Sequence, residues 1–442
     1  MPDASLPFTL TGLQSRRQKL LNGFALPDQP PAETALPEIT VPAGWTLAAL
    51  AVGLVAGLML PQPVLAPALA VAGPIGDLWL KGLEMTILPL VVSLLVIGVV
   101  RTVEAARGGA MARQTLGLIV VFLVGGAIMA ALVTPLLLDL FPIPGRAAAA
   151  LSGAPAADQP LPGIGAFLSS LVPENVFAAA AGGAVLPVIV FFAAFAAALA
   201  RLPAASRHAV LPLFEGVAAA MMVVIGWVLA LAPAGVLALS LAVAAKSGAS
   251  AFAVLAHYIA VVSAVGGVVM LAGYILAVFG ARLALSACTR AMLPVEAVAL
   301  STQSSLASLP AMLAACRRLG VAETSADFVL PLAVALFRAT GPAMNLAVAI
   351  YIARLSGVTL TPAMMFAGIT AASLTTLGAP SISGTVSYVS SIAPIALAMG
   401  VPVAPLGLLV AVEMLPDLMR TLGNVVMDVA LTATIDRWNR RS

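Results

Sequence analysis

The feature that most constrains how this chain can fold is a line of polar side chains within the apolar segment 401–437. Its members are Glu413, Asp417, Arg420, Thr421, Asn424 and Asp428. At about 100° per residue, this spacing places all of them within an arc of roughly 100° on a single helix. A charged side chain costs about 2.5–3.5 kcal/mol or more at the centre of a bilayer, so this polar stripe has to face protein or water. The pattern predicts an intramembrane functional site.

The composition is typical of a helical protein with several membrane spans. Hydrophobic residues make up 62% of the chain and charged residues only 9%, which excludes most soluble globular classes. We therefore expect an all-α polytopic membrane protein that contacts the lipid bilayer and no nucleic acid. The two cysteines, Cys288 and Cys316, lie in apolar surroundings and the two histidines are isolated. We expect no enzyme activity, no cofactor and no dedicated metal centre.

Eight apolar segments are predicted to form transmembrane helices. They are 45–60, 84–100, 115–140, 164–200, 210–244, 251–281, 328–355 and 401–434. If the N-terminus lies in the cytoplasm, most of the 21 Lys and Arg residues fall on the cytoplasmic side, as the positive-inside rule requires. An even number of spans then leaves the C-terminus in the cytoplasm as well.

Two further apolar stretches, 283–318 and 361–401, are interrupted by polar tips. The first tip, 301–310, reads STQSSLASLP, and the second, 373–384, reads SLTTLGAPSISG. Lipid cannot satisfy irregular backbone, so such tips have to line a cavity, and paired interrupted segments indicate a binding site near the bilayer midplane. Basic residues flank both ends of the first stretch, which favours two re-entrant helical hairpins. The alternative is that each tip is a loop between two short spans.

These elements carry specific motifs. The first tip contains SSLASLP at 304–310, the second contains GAP at 378–380, and the last segment reads D-x-x-R-T-x-x-N-x-x-x-D from Asp417 to Asp428. Individually weaker matches lie at 85–91, 185–188, 232–236 and 329–332. Over about residues 45–437, the chain resembles the dicarboxylate/amino acid:cation symporter family, which is the glutamate and aspartate transporter family, as a divergent member.

The resemblance implies a secondary active transporter that moves an acidic amino acid across the bacterial inner membrane by an elevator mechanism. It implies a homotrimer in which each subunit has eight transmembrane helices and two re-entrant hairpins, a glutamate-transporter-like fold. The implied division is a cytoplasmic tail at 1–44, scaffold helices at 45–110 and 146–247, transport-unit segments at 111–145 and 248–437, and a cytoplasmic tail at 438–442.

The resemblance also implies a set of substrate-binding positions. They are Arg420, Asp417, Thr421, Asn424, Ser304, Ser305, Gly378, Ala379 and Pro380. A guanidinium suits a carboxylate, and Asp417 can accept hydrogen bonds from an ammonium, so an acidic amino acid fits best. A C4-dicarboxylate would leave Asp417 unmatched in a dry site and ranks second. A neutral amino acid carrier and a sensor that binds substrate without transporting it are further alternatives.

One segment departs from the family pattern. Where the family has Asn-Met-Asp, this chain has Phe337, Arg338 and Ala339, and the third span lacks the family's Thr-Ser pair. Hard cations need several oxygen ligands, so we expect at least two of the family's three sodium sites to be lost. We expect Arg338 to replace a bound cation and to pair with Asp428 or Glu413, which are also the candidate proton carriers.

This substitution bears directly on the coupling ion. It predicts transport that is proton-coupled or uncoupled, with H⁺ favoured over Na⁺. If a sodium site survives, Asp428 and Asn424 are its expected ligands. The alternative for Arg338 is a structural salt bridge that plays no part in coupling.

Overall fold

The computed structural model describes residues 43–144, 169–248, 250–378 and 385–440, and within these ranges the chain is helical without a strand. The helices are α1 (Ala43–Met59), α2 (Gln62–Ala105), α3 (Ala110–Leu140), α4 (Val176–Ala181), α5 (Val185–Leu199), α6 (Ala204–Ala230), α7 (Ala232–Ser247), α8 (Ser250–Ile275), α9 (Leu285–Thr302), α10 (Leu309–Arg318), α11 (Glu323–Leu336), α12 (Thr340–Leu355), α13 (Pro362–Gly378), α14 (Thr385–Ala398), α15 (Leu406–Leu409) and α16 (Met414–Asn439). The expected N-terminal tail, apart from its last two residues, lies outside the described ranges, as do residues 441 and 442.

Six helical segments of the described ranges are long and apolar enough to cross a membrane. They are Gln62–Gly108, Ala110–Leu140, Ala204–Ala230, Ser250–Gly280, Glu323–Leu355 and Met414–Asn439. Helices α1, α5, α7, α13 and α14 are apolar but shorter. The chain is thus an all-α protein of the polytopic membrane class, as its composition predicts, and the number of eight membrane spans stays a prediction.

Several helix boundaries differ from the predicted segments. The predicted span 210–244 consists of two helices, because Pro233 in the first turn of α7 has no N–H with which to continue α6. The predicted span 328–355 is interrupted between α11 and α12, and α16 begins only at Met414 within the predicted span 401–434. The predicted span 84–100 is the second half of α2, which has 44 residues.

Two helix pairs occupy the interrupted stretches. The first pair is α9 and α10, which pack against each other, and the second pair is α13 and α14, which do the same. Gln303 adopts a left-handed conformation with φ 50° and ends α9 just before Ser304. The tip of the second pair, with Ala379 and Pro380, lies outside the described residues. The helix pairs are therefore present as predicted, whereas their re-entrant placement in a membrane stays a prediction.

Helix α16 lies at the centre of the C-terminal half of the chain. It packs against α8, α9, α10, α11 and α12, and an apolar cluster that includes Val425, Val426 and Val429 surrounds it. Every residue from Arg420 to Asp436 is buried. The polar stripe therefore faces protein, as expected because charged side chains are costly in lipid.

Candidate functional site

Arg420 is the most firmly anchored member of the polar stripe. It is buried, and each of its three guanidinium nitrogens faces a protein oxygen. Nη1 donates to Asn345 Oδ1 at 2.7 Å and Nη2 donates to Glu413 Oε1 at 2.8 Å, while Nε lies 3.2 Å from Asp417 Oδ1. The neighbouring Thr421 is also buried, and its hydroxyl donates to the Asp417 backbone carbonyl at 3.0 Å. Because a guanidinium is planar and its donors are fixed, these contacts set its orientation.

Glu413 extends this network to two further helices. It is the residue just before α16 and is only 3% exposed. Its Oε2 accepts a hydrogen bond from the Tyr258 hydroxyl of α8 at 3.1 Å, and that hydroxyl lies 3.0 Å from the Tyr388 hydroxyl of α14. Both carboxylate oxygens of Glu413 therefore have partners, which offsets part of the cost of burying the charge. Through these hydroxyls, Arg420 is connected to one arm of the second helix pair.

The break between α11 and α12 contacts the same part of α16. Helix α11 ends at Leu336 and α12 begins at Thr340. Pro342 lacks the N–H that would bond to the carbonyl of Arg338 in an uninterrupted helix, so the sequence itself favours the break. The Thr340 N–H and hydroxyl donate to Asn424 Oδ1 at 3.0 and 2.9 Å. These bonds attach the broken segment to the polar stripe.

Arg338 lies in this break and is partly exposed, unlike the buried Arg420. The charges of Arg420 and Asp417 both act on Arg338. Of its two expected partners, Glu413 pairs with Arg420, and Asp428, about three turns beyond Asp417 on α16, has no hydrogen-bond partner among the described residues. The pairing of Arg338 with Asp428 or Glu413 stays a prediction.

Asp428 has a different environment from the rest of the stripe. It is 1% exposed, and within the described part of the chain neither of its carboxylate oxygens has a hydrogen-bond partner. Its nearest turns belong to the apolar cluster around α16. An ionised carboxylate in such surroundings costs several kcal/mol or more unless a proton or a cation neutralises it. Asp428 is therefore the carboxyl group with the strongest requirement for a bound positive charge.

The structure describes only some of the predicted tip residues. Ser304 and Ser305 lie between α9 and α10 and are partly exposed, and Ser304 Oγ accepts a hydrogen bond from a backbone N–H of its own tip. Gly378 is the last residue of α13, and Ala379 and Pro380 lie outside the described residues. The structure thus brings together the predicted residues of α16, and the contribution of the tips stays a prediction.

Several members of the network were not predicted from the sequence. They are Tyr258, Thr340, Asn345 and Tyr388. Asn345 is an isolated amide in an otherwise apolar helix, and this is a signal that could have been used, because a polar group in a membrane span needs a partner. The two tyrosines lie on different helices without any polar periodicity, so only the tertiary structure reveals their role.

The Tyr258 hydroxyl offers a direct test of the network. Replacing Tyr258 by Phe removes the donor to Glu413 and keeps the ring that packs edge-on against Tyr351. Because a buried group left without its partner costs about 1–3 kcal/mol, we expect the free energy of unfolding in detergent to fall by about that amount. We also expect substrate affinity to fall, since Glu413 holds Arg420. Tyr351→Phe is the matched control and should leave affinity unchanged; unchanged affinity in Tyr258→Phe contradicts the proposed link.

Comparison with known proteins identifies a matching family and several relatives of this chain. A family model described as the sodium:dicarboxylate symporter family matches residues 43–438 of the chain. A proton/glutamate-aspartate symporter from Escherichia coli (strain K12) is 27% identical over 380 residues, covering 83% of this chain and 85% of the relative. A C4-dicarboxylate transport protein from Anaeromyxobacter sp. (strain K) is 27% identical over 375 residues, with 83% of each covered. A proton/sodium-glutamate symport protein from Bacillus caldotenax is 26% identical over 406 residues, with 83% and 87% covered.

These relatives agree on the class of protein and differ in the substrate and the ion in their names. The family match spans nearly all the described helices, including α16 and its polar stripe. The resemblance recognised from the motifs of the two tips and of α16 is therefore confirmed. The chain is a multi-pass membrane protein and belongs to the sodium:dicarboxylate symporter family.

Proposed function

We propose that this protein is a secondary active transporter for a small substrate that bears two carboxylates. The observation that carries the proposal is Arg420, a buried guanidinium held by Glu413, Asp417 and Asn345 beside a helix break. A charge within a membrane protein is costly, so its presence there indicates a function. The paired donors of a guanidinium also suit a carboxylate. Both the acidic amino acid and the C4-dicarboxylate expected from the sequence fall within this substrate class.

The proposal includes an elevator mechanism in a homotrimer of the bacterial inner membrane. Each subunit would have eight transmembrane helices, two re-entrant hairpins and both termini in the cytoplasm. Residues 45–110 and 146–247 would form the scaffold, and residues 111–145 and 248–437 would form the moving transport unit. This division is supported by the packing of α7 against α1 and α2 and of α16 against α8, α11 and the first helix pair.

We further propose that protons rather than sodium ions drive the transport, with Asp428 as the proton carrier. A proton removes the charge that burial penalises and needs no further ligand. A sodium ion needs several oxygen ligands, and Phe337 and Ala339 supply no side-chain oxygen where the family has an amide and a carboxylate. Glu413, the other carrier expected from the sequence, is engaged by Arg420 and Tyr258. We therefore assign Glu413 to positioning Arg420.

Uptake into proteoliposomes tests the function and the coupling ion together. We expect radiolabelled aspartate or succinate to accumulate under an inward proton gradient and not under an inward sodium gradient at fixed pH. In Asp428→Asn, accumulation should be lost while substrate-for-substrate exchange continues, because an amide cannot carry the proton.

The matched control is Asp139→Asn, which alters an exposed carboxylate paired with Arg354 and should accumulate substrate normally. Uptake that depends steeply on sodium at fixed pH would contradict proton coupling. Binding of substrate without any uptake would indicate the alternative of a sensor and would contradict transport. Uptake of neutral amino acids in preference to both acids would contradict the substrate class.

A further inference from the structure

An arginine joins the C-terminal end of α2 to the turn between α5 and α6. Arg107 lies in the short helical turn that follows α2, and its Nη2 donates to the Ala200 backbone carbonyl at 2.6 Å. The peptide group that contains this oxygen ends at the Cα of Arg201, so Nη2 of Arg107 lies within about 6 Å of that Cα. Both arginines are exposed. Two positive side chains from different segments therefore share one small area of the surface.

The carboxylates nearest to these two arginines are already paired with other arginines. Glu104 pairs with the buried Arg207 of α6, and Glu215 pairs with Arg101 at 3.2 Å. Arg113, in the first turn of α3, is exposed as well, and α3 packs against the turn that follows α2. Within the described ranges, none of the three exposed arginines at 107, 113 and 201 has an ion pair. Like charges held close together repel one another, so this basic cluster suits an anion from outside the chain.

Apolar side chains continue from the basic cluster along α5 and α6. Leu202 follows the cluster directly, Leu213 lies in α6 and Phe191 lies in α5, and all three are exposed. Basic side chains that flank apolar helices lie near the lipid headgroups. A phospholipid has the matching profile, because its charged headgroup is joined to apolar chains. A free phosphate ion would use only the basic part of this surface.

A second copy of this chain matches the basic cluster less well than a lipid does. In a homo-oligomer with its symmetry axis along the membrane normal, the same end of each subunit lies at the same depth. The predicted orientation concentrates the Lys and Arg residues at this end, so a neighbouring copy would bring further positive charge. An anionic phospholipid brings negative charge, and basic sites between membrane helices on the cytoplasmic side suit such headgroups.

We propose that Arg107, Arg113 and Arg201 form a binding site for the headgroup of an anionic phospholipid at the predicted cytoplasmic end of α2, α5 and α6. Planar guanidinium groups hold a phosphate through paired hydrogen bonds. The site uses no residue of α16, so it does not depend on the identity of the transported substrate. It lies where the proposed scaffold meets the first helix of the proposed transport unit, so a bound lipid would contact both parts.

Lipid binding to the purified full-length protein tests this inference. Native mass spectrometry in a mild detergent, with titrated phosphatidylglycerol or the zwitterionic phosphatidylcholine, measures the dissociation constants. We expect wild-type protein to bind phosphatidylglycerol about tenfold or more tightly than phosphatidylcholine. Each arginine near an anionic headgroup contributes about fivefold to affinity. The double variant Arg107→Gln with Arg201→Gln should therefore bind phosphatidylglycerol about twentyfold more weakly.

The matched control is Arg290→Gln with Arg318→Gln, which removes two exposed arginines of the first helix pair, predicted to lie at the same membrane face. It should leave phosphatidylglycerol affinity unchanged. If the double variant in the basic cluster does not fold, Arg201→Gln alone decides, with an expected loss of about fivefold. The Arg201 side chain has no hydrogen bond or ion pair among the described residues, so its removal costs no such contact.

Three results overturn the inference. Equal loss of affinity in the control pair, or equal wild-type affinity for the two lipids, would mean that this cluster does not form a specific site. Competition by inorganic phosphate as strong as that by phosphatidylglycerol would mean that the apolar flank plays no part. A change of oligomeric mass in the double variant, with unchanged lipid affinity, would assign the cluster to a contact between copies.

Discussion

Replacing Arg420 by methionine is expected to lower the free energy of unfolding by about 3–5 kcal/mol and to abolish measurable binding of dicarboxylates. The substitution leaves the buried carboxylate of Glu413 and the partly buried carboxylate of Asp417 without the guanidinium that now contacts both of them. The Asn345 amide oxygen also loses its donor. Methionine is apolar and similar in length, so the effect reports the charge and its hydrogen bonds rather than a large cavity. Chemical unfolding in detergent and calorimetric titration measure the two effects.

A triple variant separates the stability of this cluster from its function. Adding Glu413→Gln and Asp417→Asn to Arg420→Met removes the unpaired charges, so most of the lost stability should return while binding stays absent. Arg101→Met, which breaks an exposed ion pair with Glu215, is the control and should change stability by less than about 1 kcal/mol. Wild-type stability in the single Arg420→Met variant would show that the cluster does not contribute to folding.

Substituting Gly423 by valine is the second change with a large expected effect. A Cβ atom at this position would lie 2.5 Å from Thr340 Cγ2 and 3.5 Å from the carbonyl oxygen of Gly266. Thr340 cannot easily move, because its N–H and hydroxyl are bonded to Asn424. We expect overpacking to destabilise the protein by about 1–3 kcal/mol. Displacement of the break that carries Arg338 should weaken dicarboxylate binding by about tenfold or more.

An exposed glycine of α3 provides the control for this prediction. Gly117 of α3 is exposed, and a Cβ built there meets no atom within 4 Å. Gly117→Val should therefore change stability by no more than about 0.5 kcal/mol and leave binding unaltered. Normal stability and normal affinity in Gly423→Val would mean that the break does not depend on its close contact with α16.

Much of the site on α16 could be predicted because its pattern is local. Charged residues are so costly in lipid that their spacing reveals the protected face of a helix, and the interval from Asp417 to Asp428 follows the helical repeat. The same argument applies to the class of fold, since a chain with so few charges and so many apolar residues has few alternatives to a helical membrane protein.

Helix ends were predicted less well, because several polar and glycine-rich positions can interrupt a helix with similar ease. The division of the predicted span 210–244 follows from Pro233, a signal that is visible in the sequence. The break beside Arg338 has a comparable cause in Pro342, yet the hydrophobicity of 328–355 alone indicates one continuous span. Only the hydrogen bond from Thr340 to Asn424 of α16 shows that the break lies against the polar stripe.

By itself, the sequence determined that this protein is a helical membrane transporter of a known family with a buried polar stripe on its last helix. The tertiary structure decided which charges meet: Glu413 pairs with Arg420, Arg338 acts on Asp417, and Asp428 has no partner among the described residues. The physical reason is that helical periodicity and the cost of charge in lipid are properties of one segment. Ion pairing instead depends on distances between side chains of different helices, which no single segment encodes.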